Sequence, residues 1–189
     1  MIRLIVARQE VLEMSPKNNK SKNFVGRESE LKELQKLLKK PYGKVRILFL
    51  LGDGGIGKTK LLEEMLKQIP SSVLSIEKPL DLSATEHRSI DGIQMKIVEI
   101  IENLTRKTGG NSPFKEFRKE NQDTSEQFNR CLREFCRKKP LVLAFDTFEV
   151  LDTVASNWLF ADGGEGLQVP GLMCIIAGRP NKEGLEKYL

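Results

Sequence analysis

The chain has 189 residues, 39% hydrophobic and 30% charged, with a formal net charge of +5. That is enough for one domain with its own core and no disulfide or metal staple, and it excludes a fibrous or wholly disordered polymer. No apolar run reaches the roughly 18 residues of a membrane span, and Ile2–Ala7, interrupted by Arg3 and followed by Arg8, makes a poor signal peptide.

The positive surplus falls in residues 1–44, and the remainder is nearly neutral. With 6% aromatic residues, no basic face interleaved with stacking groups is visible, so nucleic acid is disfavoured as a partner but stays open. Cys131, Cys136 and Cys174 form neither C-x-x-C nor a zinc spacing. An odd number of thiols without a signal peptide fits a reducing, cytoplasmic compartment.

In chain order, Met1–Met14 has no recognisable domain role, and Met14 is a candidate start. Ser15–Asn23 is wholly polar, charged or proline and reads as a flexible linker. Residues 1–23 are therefore taken as leader and linker, and 24–189 as the domain. Glu28–Lys40 carries Leu31, Leu34, Leu37 and Leu38 at helical spacing, and Pro41 and Gly43 end it. Val45–Leu51 is a nearly continuous apolar run, as in a strand buried on both faces. It leads into Gly52, Asp53, Gly54, Gly55, Ile56, Gly57, Lys58 and Thr59, and then a helix over Lys58–Gln68.

Further on, Val73–Ile76 reads as a second strand, Ile90–Lys107 as a long helix and Thr108–Asn121 as a polar surface connection. Thr124–Lys139 is a helix whose basic last turn suits the negative end of its dipole. Leu141–Phe145, ending at Asp146, and Leu172–Ala177, ending at Gly178-Arg179-Pro180, are further strands. Strands alternating with helices predict an α/β fold, a three-layer sandwich around a parallel sheet with right-handed crossovers.

Gly52–Thr59 matches G-x-x-x-x-G-K-[ST] and stands between a strand and a helix, the context that gives the pattern meaning. Glycines permit a tight loop whose N–H groups converge on phosphate oxygens. The helix start, with Lys58, Thr59 and Lys60 in its first turn, adds the positive end of a dipole. Lys58 has the reach for β- and γ-phosphates, and the Thr59 hydroxyl suits Mg²⁺. The implied ligands are a nucleoside triphosphate, ATP or GTP, and Mg²⁺. Asp146, at the C-terminal end of its strand, faces the crevice where such sheets bind ligands and is the second metal candidate. Glu149 can orient or deprotonate an attacking water, or remain a solvated carboxylate. Arg179 can read a γ-phosphate bidentately, or be an ordinary surface arginine. His87 and the methionines show no ligand spacing.

Four blocks, Phe24-Val25-Gly26-Arg27-Glu28, GDGGIGKT, LVLAFDTFE and IIAGR, together resemble the STAND class of AAA+-related P-loop ATPases, which act as signalling nucleotide switches. The resemblance implies an adenine pocket lined by Phe24, Val25 and Gly26 with Arg27 nearby. It also implies ATP as the nucleotide, its phosphates and Mg²⁺ held by Lys58, Thr59 and Asp146, and a sensor-like role for Arg179. Many members carry a second acid after the Walker B aspartate, where this chain has Thr147, so weak or absent hydrolysis is expected. The family's sheet order, 5-1-4-3-2, predicts 1-4-3-2 here, with the fifth strand missing and Val45–Leu51 left as an outer edge prone to self-association. Two other readings share these blocks: an origin-recognition-type DNA-binding ATPase fragment, and an interaction module that retains the loop without turnover.

Overall fold

The apolar runs become neighbours in one sheet. The computed structural model describes residues 3–7, 10–11, 27–39, 46–107, 109–114, 125–161 and 166–180. In chain order they form β1 (Arg3–Ala7), β2 (Glu10–Val11), α1 (Glu28–Leu38), β3 (Arg46–Leu51), α2 (Lys58–Lys67), β4 (Leu74–Ser75) and β5 (Leu80–Asp81). There follow α3 (Ile90–Lys107), α4 (Ser125–Lys138), β6 (Leu141–Asp146), α5 (Thr153–Phe160) and β7 (Leu172–Gly178).

The sheet runs β2-β1-β3-β7-β6-β4, with β5 also paired to β6. Its centre is parallel: β3 with β7, β7 with β6, and β6 with both β4 and β5. Numbered as core strands, β3, β4, β6 and β7 fall in the predicted order 1-4-3-2. The α/β architecture is that of a P-loop NTPase, with the sheet left open. Every residue of β6 and β7 is buried, so both faces of the sheet are covered, as parallel strands require.

One expectation is overturned. β3 is not an outer strand, because β1 pairs antiparallel along it from Arg3↔Leu51 to Ala7↔Ile47, and β2 pairs with β1 in turn. The position that the family order gives to a fifth strand is filled from the leader, which was expected to have no role. The expected linker, Ser15–Asn23, lies outside the described residues.

The helices follow their patterns. α4 buries Phe128, Leu132, Phe135 and Cys136 and exposes Arg130, Arg133 and Arg137. Such buried side chains contribute roughly 1.5–3 kcal/mol each. α2 lies against β6 and β7, burying Leu61, Leu62, Met65 and Leu66. Phe114, in a stretch expected to be a polar surface connection, is buried against Phe128 with ring centroids 5.6 Å apart. α5 was not anticipated. Asp152 caps it by accepting from the Ala155 N–H at 2.7 Å, and Phe160 packs on Phe49 with ring centroids 5.4 Å apart. Phe148 joins the same aromatic group, at 6.2 Å from Phe49 and 6.3 Å from Phe160. That packing fixes the short turn Phe148–Val150 beyond the end of β6. Among the described residues, no helix is long and apolar enough to cross a membrane.

Candidate functional site

The C-terminal ends of β3, β5, β6 and β7 meet at one end of the sheet. The loop from Gly52 to Gly57 leaves β3 there, tied to β7 by a bond from the Gly52 N–H to the Gly178 carbonyl at 3.2 Å. Gly55 and Gly57 have φ of 77° and 87°, a region open to glycine at little cost, and this turns the chain abruptly into α2. Asp53, Gly54, Gly55 and Gly57 are exposed, so the loop faces outward at the mouth. Lys60 is exposed one residue beyond Thr59 on α2. The Lys58 Nζ donates to the Gly52 and Asp53 carbonyls, both at 2.8 Å, which holds its ammonium over the loop that precedes it.

Arg27, the first described residue of the F-V-G-R-E block, reaches the same loop. Its Nη2 donates to the Ile56 carbonyl at 3.1 Å, and its Nη1 pairs with Glu30 at 3.0 Å. Phe24, Val25 and Gly26 lie outside the described residues.

Residues far apart in sequence converge on the end of β6. The Thr59 hydroxyl donates to Asp146 Oδ2 at 2.5 Å, and the Thr147 N–H donates to Asp146 Oδ1 at 2.9 Å. Asp146 is buried but for 8% of its surface. A hydroxyl and a carboxylate are hard oxygen donors suited to Mg²⁺. Glu149 and Arg179 also meet: Glu149 Oε2 accepts from the Arg179 N–H at 3.2 Å, and Oε1 lies 3.3 Å from Arg179 Nε. The guanidinium extends across the phosphate-type loop, and a Cβ placed on Gly54 would lie 3.4 Å from Arg179 Nη2. The close approach of the 148–149 turn depends on Gly178, where a Cβ would stand 2.0 Å from a Phe148 ring carbon.

The family-model comparison matches an AAA ATPase domain over residues 23–163, well over half of the chain. The chain belongs to the AAA ATPase domain family. It is a nucleotide-binding P-loop fold, and Lys58, Thr59 and Asp146 stand within the matched region. Arg179 lies beyond it. No match was found among curated proteins.

This AAA domain holds one acid that the motifs did not point to. β5 pairs Asp81 directly with Asp146 and Leu80 with Phe145. Asp81 accepts from the Ser83 N–H and the Ser83 hydroxyl, each at 2.9 Å. The Ser83 N–H is the main reason that its carboxyl sits below the usual range, outweighing partial burial. The trace in the sequence is slight: the alternation Leu80-Asp81-Leu82, with both leucines buried.

Proposed function

We propose that this chain is the ATP·Mg²⁺-binding nucleotide-switch domain of a STAND-like signalling ATPase, with slow hydrolysis of its own. The observation that carries the reading is the bond from the Thr59 hydroxyl to Asp146, which brings together two motifs 87 residues apart at the mouth of a glycine loop. In this reading the N–H groups of Gly52–Lys60 and the Lys58 ammonium bind the phosphates, and Thr59 and Asp146 hold Mg²⁺. Bound Mg²⁺ supplies charge neutralisation at the β- and γ-phosphates. Phe24, Val25, Gly26 and Arg27 would border the adenine.

Arg179, extended over Gly54, is suited to the γ-phosphate, with Glu149 bracing it. Glu149, the expected water-orienting acid, is engaged by Arg179 through both the backbone and the side chain. Thr147 holds the position of the second acid. Both features support turnover below about 1 s⁻¹, the low end of typical enzymes. The consequence of binding would be a change of association state, with copies of the chain or with a partner protein.

Calorimetry on Lys58→Ala tests the site. Bonds to charged groups contribute about 1.5–3 kcal/mol, so affinity for ATP·Mg²⁺ should fall roughly 10- to 100-fold, with the melting temperature of the nucleotide-free protein nearly unchanged. Unaltered affinity would remove the phosphate assignment.

A further inference from the structure

Arg27 is the N-cap residue of α1, and its side chain makes no capping bond there. Short oxygen-bearing side chains are the ones that satisfy a first turn, and a cation opposes the positive end of the helix dipole. A residue that breaks a local rule beside a ligand site calls for a cause. That cause lies 29 residues on, where Arg27 Nη2 donates to the Ile56 carbonyl at 3.1 Å. The guanidinium is fixed from behind. Its Nη1 pairs with Glu30 Oε1 at 3.0 Å, and the Ser29 hydroxyl donates to Glu30 Oε2 at 2.5 Å. Glu30 is buried and the Arg27 side chain is 25% exposed, so water competes weakly for these bonds. Ile56 stands between Gly55 and Gly57, whose positive φ values mark a stretch of backbone that can turn freely. The Gly57 carbonyl is taken by the Leu61 N–H at 3.0 Å as α2 begins. The Ile56 carbonyl lies one residue before that ladder and accepts from Arg27 instead.

We propose that Arg27, braced by Glu30, is the positioning residue of the phosphate loop, setting the Ile56–Gly57 peptide so that the Gly57 N–H is aimed at a phosphate oxygen before nucleotide arrives. The proposal rests on the nucleotide-site reading above. In a trans peptide the C=O and the following N–H point in opposite directions. A donor that draws the Ile56 carbonyl towards α1 therefore turns the Gly57 N–H the other way and holds it there. A preset N–H spares a bound phosphate the entropy of ordering a glycine-flanked peptide, and that saving appears as affinity. The fork of a guanidinium is what the task needs, because one arm grips the carbonyl while the other is held by Glu30. An ammonium would offer a single point charge. Arg27 acts here through the loop, a role separate from bordering the base.

The test compares, on the full chain, the affinities of ATP·Mg²⁺ and of tripolyphosphate·Mg²⁺, which carries the phosphates without a base and is read by its displacement of ATP. Arg27→Ala should weaken both ligands by the same factor, roughly 10-fold, since a bond from a charged group is lost. Arg27→Lys should recover little of that loss. Glu30→Gln should weaken both ligands less, and should add almost nothing to Arg27→Ala, because the two residues act as a unit. Arg27→Ala leaves a buried acid without its cation and should melt at a lower temperature. The double variant Arg27→Ala/Glu30→Ala removes that acid as well and should show the same equal loss, which keeps the test intact where the single variant folds poorly. A loss for ATP alone would overturn the proposal, because Arg27 would then act on the base. Unchanged affinities would overturn it, as would an Arg27→Lys that binds as tightly as wild type. A wild type from which tripolyphosphate displaces no ATP would also overturn it, yet leave the nucleotide-site reading standing. A wild type that does not bind ATP would overturn that reading itself.

Discussion

The two flanks of the parallel core are built differently. On one side, β3 is covered by a single strand, β1, paired without interruption over five successive residues. On the other, β6 is covered by two strands of two residues each, β4 and β5, separated by Ile76–Pro79. A continuous ladder pairs the backbone of β3 along most of its length. The broken flank gives up pairing in its middle and in return delivers Asp81 beside Asp146. One flank is a cover; the other brings a second carboxylate to the end of β6.

The sharpest way to break this contrast is to remove the cover. Deleting residues 1–13 takes away β1 and β2 and leaves the β3 N–H and C=O groups on that side without partners. At about 1 kcal/mol net per ladder bond, the loss is roughly 3–5 kcal/mol, which lowers the melting temperature by about 10 °C in a chain of this size. The exposed edge should also promote association, visible by sedimentation. A deletion variant with unchanged melting temperature and a monomeric profile would show that β3 does not depend on β1.

Gly178 tests the seam between the flanks. It ends β7, pairs with Leu51 of β3, and lies under Phe148 and Glu149 at the end of β6. In Gly178→Ala the new methyl would stand 2.0 Å from the Phe148 ring and 2.9 Å from Glu149 Oε2, so the turn must move. Overpacking of this kind costs about 1–3 kcal/mol. Displacement of Glu149 should also loosen Arg179, so ATP affinity should fall along with stability. Equal loss of stability without loss of affinity would separate the turn from the nucleotide site.

What was legible in the sequence divides along the same line. The buried strands announce themselves as runs such as Leu141–Phe145, and the loop Gly52–Thr59 carries its chemistry in its own spacing, so the strands and the Thr59–Asp146 meeting point were within reach, while the core order came from the family resemblance. β1 was visible only as a short apolar stretch, because partner and direction of pairing are decided by tertiary context, not by the strand itself. β5 is two residues long, too short for any period to register. Nothing in the spacing singles out Asp81, and it is register that places it opposite Asp146. α5 escaped because Val154-Ala155-Ser156-Asn157-Trp158 shows no clean polar face, although Asp152 does supply the cap.

The smallest effect concerns the centre that both flanks share. Cys136 on α4 and Cys174 on β7 are buried, and burial is the main force on both thiols, pushing Cys174 up to about 12 and Cys136 higher still. An unfolded thiol ionises near 8.5, so below that pH both states are neutral and the thiols contribute nothing to pH dependence. Above it, the unfolded state sheds protons that the folded state keeps. Stability should therefore fall as pH rises from about 8.5, at no more than about 1.4 kcal/mol per pH unit for each thiol, and level off for Cys174 near 12. Denaturant titrations at pH 8 and pH 9.5 should show this loss, and Cys174→Ala should have a shallower slope. Labelling with a thiol reagent extends the same measurement to the flanks. If the cover of β1 and the seam at Gly178 act through one cooperative core, the deletion and Gly178→Ala should each speed labelling of Cys174 in proportion to the stability lost. Faster labelling in only one of them would mean that the two sides of the sheet open independently.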